Sequence, residues 1–292
     1  MAFEGFQLSQ IDVGEASLRV RHGGSGPPLL LLHGHPETHM MWGKIADDLA
    51  KDFSVVAADL RGYGQSTKPP SSEDHETSSK RAMARDAVAL MRHFGFERFD
   101  VAGHDRGARC AYRLALDHPA HVRKLGVLDV IPTGDAFGRA DMAFGLGSWL
   151  WFFLAQPADL PERLIGADPR LLVDHMLDTW SGTPDAFPDD VRAEYRRAFA
   201  NPATVHAICE EYRAAATLDR QHDEADRGRR RIACPTLVLW SARGALPHWY
   251  DVLGVWREWA DDVRGRSLDC GHFLAEEAPE ETFAALRAFF AG

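Results

Sequence analysis

The segment Val101-Ala102-Gly103-His104-Asp105-Arg106-Gly107-Ala108 has the form Gly-x-acid-x-Gly, with an apolar run before it and a helical pattern after it. That is the form of a nucleophile elbow, in which a strand turns sharply into a helix and thrusts the central residue above the sheet. The two glycines leave room where neighbouring side chains would collide. The central side chain stands at a helix N-terminus, where the dipole and free N–H groups favour an anion. Here the central residue is Asp105 rather than a serine. A carboxylate is a poor acyl-transfer nucleophile because its acyl product would be an anhydride. It can instead displace a leaving group from saturated carbon and form an alkyl ester.

Outward from the elbow, the pattern is one of alternating strands and helices. Pro28-Leu29-Leu30-Leu31-Leu32 is a continuous apolar run closed by His33-Gly34, as expected of a strand buried on both faces. Residues 53–58, 99–102, 125–130, 236–240 and 263–268 read as further strands, and residues 80–94 and 107–117 as helices. Residues 7–13 and 16–22 alternate apolar and polar around Gly14-Glu15, which predicts an N-terminal hairpin. The fold class is therefore α/β, a mostly parallel sheet flanked by helices. Between residues 132 and 231 the strand pattern stops and a helical periodicity rich in Trp, Phe, Pro and Arg takes over. The reading divides the chain into a core of residues 1–131 and 232–292 and an inserted helical lid of residues 132–231.

An alkyl ester on Asp105 must be hydrolysed, which calls for a base. In the chain order nucleophile, acid, histidine, the base falls after the last strand. His272 in Asp269-Cys270-Gly271-His272-Phe273 occupies that place, one of 14 histidines in the chain. Asp129 in Leu128-Asp129-Val130 stands at a strand end and is the expected acid; Asp251 is a second candidate. His104 is read as packing. His33-Gly34-His35-Pro36 ends the first buried strand, so the backbone N–H groups of His35 and Arg106 are the expected oxyanion donors. Arg106 and Arg109, three apart on the elbow helix, suggest a substrate carboxylate held by two guanidinium groups.

The 292 residues are 45% hydrophobic with a net charge of −10, enough for one large core and unsuited to nucleic-acid binding. Cys110, Cys209, Cys234 and Cys270 lack metal-ligand spacing and read as reduced thiols. No metal or other cofactor is expected. The start shows no secretory leader, and the longest purely apolar run is too short to span a membrane, so a cytoplasmic protein with no membrane partner is expected.

Taken together, these motifs resemble the fluoroacetate/haloacetate dehalogenase branch of the α/β-hydrolases over nearly the whole chain. The resemblance rests on His33-Gly34-His35-Pro36, Asp59-Leu60-Arg61-Gly62-Tyr63-Gly64, Gly103-His104-Asp105-Arg106-Gly107-Ala108-Arg109, Leu128-Asp129-Val130-Ile131-Pro132-Thr133, Ile165-Gly166-Ala167-Asp168-Pro169, Glu211-Tyr212-Arg213-Ala214 and Gly271-His272-Phe273. It implies an α/β-hydrolase fold, a small haloacid substrate and a homodimer. It also implies Asp105 as nucleophile, Asp129 as acid, His272 as base, and Arg106 and Arg109 on the substrate carboxylate. The family cradles the leaving halide with a His-Trp pair and a later Tyr; Trp151 and Tyr212 match, but the His position is Leu150. Chloride and bromide are therefore expected to leave better than fluoride. The alternative is an epoxide hydrolase using the same Asp and His with Tyr195 and Tyr212 as acids. A non-catalytic binding protein of this fold would have no need of all three of Asp105, Asp129 and His272.

Overall fold

Eight strands are formed in the computed structural model, which describes residues 2–292. They are β1 (Gln7–Asp12), β2 (Ser17–Gly23), β3 (Pro28–Leu32), β4 (Ser54–Ala58), β5 (Phe99–His104), β6 (Val122–Leu128), β7 (Thr236–Ser241) and β8 (Val263–Leu268). They join in one sheet in the order β1-β2-β4-β3-β5-β6-β7-β8. β1 and β2 are the expected antiparallel hairpin, turned through Gly14 at φ 100°. From β4 to β8 every pairing is parallel.

Parallel pairing demands cover on both faces, and the apolar runs supply it by simple alternation. Leu30, Leu32, Val56, Ala58, Val101, Val127 and Val238 pack on one side with the helices Lys80–His93 and Arg106–Asp117. Leu29, Leu31, Val55, Ala57, Ala102, Leu128 and Leu239 pack on the other, against Trp42, Leu49 and the C-terminal helix residues Leu286, Phe289 and Phe290.

β6 departs most from its expected range, running Val122–Leu128 instead of 125–130, while the other strands begin and end within two residues of theirs. Its first half carries Arg123 and Lys124, whose charges mask the strand pattern. Its end is fixed by Asp129, whose φ of 56° cannot continue a strand. Between β6 and β7 the ordered elements from Thr133 to Asp226 are all helical, including a short π-helical stretch at Ala215–Asp219.

The parallel register brings strand ends together on one edge of the sheet. Leu32 pairs with Gly103, and His104 with Leu128. The ladders extend one residue further, with Asp105 N–H donating to the Leu128 carbonyl at 3.1 Å and Asp129 N–H to the Leu239 carbonyl at 2.8 Å. The carboxyl ends of parallel strands are where an α/β sheet presents its ligand site.

Candidate active site

Asp105 has φ 41° and ψ −111°, a backbone conformation that side-chain-bearing residues rarely adopt. The glycines on either side make the turn possible. A Cβ on Gly103 would strike the backbone of Gly107, and one on Gly107 would strike the Leu32 and His33 carbonyls. The elbow helix is thus pressed onto the end of β3, and only the Asp105 side chain escapes upward into a cavity of about 340 Å³.

Asp105, Asp129 and His272 all line that cavity. His272 Nδ1 lies 2.6 Å from Asp129 Oδ2. The other Asp129 oxygen accepts from Ser241 N–H at 2.8 Å, so the acid is fixed by two different strand ends. His272 Nε2 makes no hydrogen bond among the described residues and remains available to a water. His35 N–H donates to Asp105 Oδ2 at 3.1 Å; Arg106 N–H makes no hydrogen bond to that side chain here. Burial alone would push the Asp105 carboxyl up, but His272, Arg106, Arg109 and His104 around it hold it well below the usual carboxylate range. Asp105 is therefore an anion at neutral pH, as a nucleophile must be.

Asp251 does not partner His272: it caps the helix Val252–Trp259 by accepting from Gly254 N–H at 3.0 Å. His104 is buried and spans Glu37 at 2.8 Å and the His272 carbonyl at 2.8 Å. Burial opposes its charge, but the Glu37 carboxylate lifts it to about 9. The His35 ring packs edge-on to Tyr63, Phe199 and Tyr212 and is driven by burial to about 3, so it is a neutral wall.

The two arginines differ. Arg109 is 4% exposed and borders the cavity rather than the outer surface. Its Nη1 donates to the Ile131 carbonyl at 3.0 Å and Thr133 Oγ1 at 3.2 Å, while its Nε has no partner and lies 3.9 Å from Asp105 Oδ1. Arg106 is wholly buried and does not border the cavity. Its Nε lies 2.9 Å from both oxygens of Glu211 and its Nη2 also bonds that carboxylate, leaving Nη1 unpartnered. Glu211 further pairs with Lys80 and accepts from the Tyr63 hydroxyl at 3.1 Å. A pair of equivalent guanidinium forks, as the sequence suggests, is therefore not what the fold builds. Arg106 is clamped from behind and has one free N–H₂ edge; Arg109 meets the cavity directly. The spacing of three on a helix signals a shared face but not this clamp, because Tyr63, Lys80 and Glu211 come from three distant segments.

Trp151 and Tyr212 both line the cavity and stand over the arginines: Arg109 Cζ is 4.3 Å from the Trp151 ring centre and Arg106 Cζ is 4.1 Å from that of Tyr212. Neither the Trp151 indole N–H nor the Tyr212 hydroxyl makes a hydrogen bond among the described residues. Leu150 borders the same space with no donor to offer. Tyr195 does not reach it, since its buried hydroxyl donates to Glu276 at 2.8 Å. Tyr250, which the sequence did not single out, does line the cavity, with a buried hydroxyl that has no partner.

All four cysteines are unpaired. No helix among the described residues is long and apolar enough to cross a membrane.

Comparison with known proteins adds family to this geometry. The model of the alpha/beta hydrolase fold matches residues 27–279. The chain is 44% identical over 288 residues to the fluoroacetate dehalogenase of Burkholderia sp, covering 98% of this chain and 94% of that one. It is 33% identical over 275 residues to the soluble epoxide hydrolase of Corynebacterium sp. (strain C12), covering 92% and 91%. The crystal structure of an α/β-hydrolase-like protein of Nostoc sp PCC 7120 superposes with a TM-score of 0.97 at 52% identity, covering 99% of each chain.

Proposed function

This chain belongs to the α/β-hydrolase family, and from its carboxylate nucleophile we propose that it is a hydrolytic dehalogenase of small 2-haloacids. The observation that carries the proposal is an anionic Asp105 at the elbow with the uncommitted Arg109 Nε beside it. An elbow carboxylate selects displacement at saturated carbon, and a buried guanidinium at the cavity wall selects a substrate that brings its own carboxylate.

The chemistry follows from the groups present. The substrate carboxylate lies against Arg109, with the charge of the buried Arg106 behind it, which places C2 before Asp105. An Asp105 oxygen forms a bond to C2 as the carbon–halogen bond breaks, and the halide leaves with the electron pair towards Trp151 and Tyr212. In the second step His272 Nε2 removes a proton from water, whose oxygen attacks Asp105 Cγ. Backbone N–H groups of His35 and Arg106 stabilise the oxyanion on that carbon. Collapse returns Asp105 as the carboxylate and releases a 2-hydroxy acid; the proton passes from His272 to solvent. Asp129 holds the His272 tautomer and stabilises the imidazolium. With Leu150 beside the leaving group, two donors serve the halide. Each oxyanion-type donor is worth about 2.7–4 kcal/mol, and fluoride, the poorest leaving group, needs them most, so chloride and bromide are favoured.

The second reading, epoxide hydrolysis, draws support from Tyr212 and Tyr250 on one cavity and from the Corynebacterium relative. It gives no use to Arg109 Nε, since an epoxide brings no carboxylate. A halide-release assay on fluoro-, chloro- and bromoacetate, run beside diol formation from styrene oxide, separates the two. Halide release with no diol supports the dehalogenase; diol formation alone contradicts it.

A further inference from the structure

The cavity has more room than a haloacetate fills. Even at the roughly 30 Å³ that one water occupies in the liquid, five heavy atoms fill about 150 Å³, under half of the 340 Å³ available. The excess space is not evenly polar. The reacting groups and Arg109 gather at one end, where Trp151 stacks on Arg109 at 4.3 Å. From Trp151 a line of rings leads away: Phe144 meets it edge-on at 5.6 Å, and Trp249 meets Phe144 edge-on at 5.5 Å. Gly147 lies directly against the Trp249 indole, where any Cβ would collide with it, so the indole seats there only because residue 147 has no side chain. Ala136 and Leu150 also border the cavity. The polar members of the wall do not form a second charged pocket: Arg243, for one, is committed to Asp269 through two bonds of 2.7 Å.

A cavity with its charge at one end and an aromatic wall at the other matches a molecule built the same way. We propose that the substrates this site handles best are 2-haloacids carrying an apolar substituent of aryl or branched-alkyl size on C2. The carboxylate and halogen occupy the Arg109–Trp151–Tyr212 end, and the substituent lies along Phe144 and Trp249. Leu150 fits the same picture, since an apolar side chain beside the reacting carbon costs nothing when its neighbour is a hydrocarbon group. This inference rests on the dehalogenase reading and narrows its substrate class.

The test is bromide release from bromoacetate, 2-bromopropanoate and 2-bromo-3-phenylpropanoate. Each methylene placed in an apolar pocket is worth roughly 10–200-fold, against which the slower displacement at a secondary carbon must be set. The wild type should show a KM for the phenyl compound at least tenfold below that for bromoacetate, and a higher kcat/KM. Trp249→Ala should lower the phenylpropanoate-to-bromoacetate ratio of kcat/KM at least tenfold. A wild type that turns over bromoacetate as well as or better than the phenyl compound overturns this inference and leaves the dehalogenase reading standing. Release of bromide from none of the three overturns both.

Discussion

Replacing Glu211 with Gln should damage stability and carboxylate recognition together. Glu211 is 1% exposed and sits between Arg106 at 0% and Lys80 at 1%. It takes hydrogen bonds from Arg106 Nε and Nη2 and from the Tyr63 hydroxyl, and pairs with Lys80. An amide of the same shape keeps one oxygen but turns an NH₂ towards the Arg106 guanidinium, which can only donate. It also removes the anion that neutralises the buried guanidinium. Breaking one side of a buried ion pair costs about 3–5 kcal/mol. At roughly 2–4 °C per kcal/mol for chains of 150–250 residues, the scale nearest to this one, Tm should fall by roughly 6–20 °C. The Arg106 guanidinium, packed against Tyr212 at 4.1 Å and one of the charges that hold Asp105 ionised, would also lose its fixed place behind the cavity wall. A charge-assisted hydrogen bond contributes about 1.5–3 kcal/mol, so kcat/KM on chloroacetate should drop about ten- to a hundredfold, mainly through KM. The assay is a thermal melt by circular dichroism alongside chloride release, with chloroacetamide as the substrate that has no carboxylate. Turnover of the amide should change much less. A variant with wild-type Tm and an unchanged KM for chloroacetate would show that the clamp neither stabilises the fold nor positions Arg106.

Three further outcomes are expected. Wild type should release chloride or bromide faster than fluoride from matched haloacetates, and Leu150→His should raise the fluoride rate by up to two to three decades, the worth of one donor; rapid defluorination by the wild type contradicts this. Arg109→Leu should cut haloacetate kcat/KM at least tenfold more than that of the neutral haloamide, and equal losses on both would make Arg109 structural. Burial pushes Asp100 up to about 6, outweighing Arg123 at 3.7 Å and Lys124, which pull the other way. Because the folded form then holds its proton more tightly than the unfolded form, this group favours folding below the ordinary carboxylate value near 4. That advantage is lost as pH rises through 6. Asp100→Asn should therefore raise Tm more at pH 8 than at pH 4.5, and equal shifts at both would refute it.

What the sequence made legible was the part that depends on chain order and local pattern. The elbow needs two glycines at fixed offsets around one residue, and partners for it are sought at later strand ends, so Asp105, Asp129 and His272 could be named as candidates without coordinates. The structure sets them around one cavity. The sheet was readable for the same reason, since five-residue apolar runs between helical patterns admit few alternatives; only the charged half of β6 hid its start. Less legible was anything built by convergence across distant segments. Arg106 and Arg109 look equivalent on a helical wheel, yet Tyr63, Lys80 and Glu211 clamp one and leave the other free. Tyr195 turns away from the cavity and Tyr250, which no sequence pattern marks, lines it, because whether a tyrosine faces the cavity depends on helix packing and on partners such as Glu276.

The ester on Asp105 is the claim on which the mechanism stands. A single turnover of bromoacetate by excess enzyme in ¹⁸O-water, followed by mass spectrometry of the product and of the peptide carrying Asp105, tests it directly. Attack of water on Asp105 Cγ puts the label into the Asp105 carboxylate and leaves the first-turnover glycolate unlabelled, while His272→Ala accumulates enzyme heavier by the carboxymethyl group. Label in the first-turnover glycolate, with Asp105 unlabelled, would mean that water attacks the substrate carbon itself and that Asp105 is a base rather than a nucleophile.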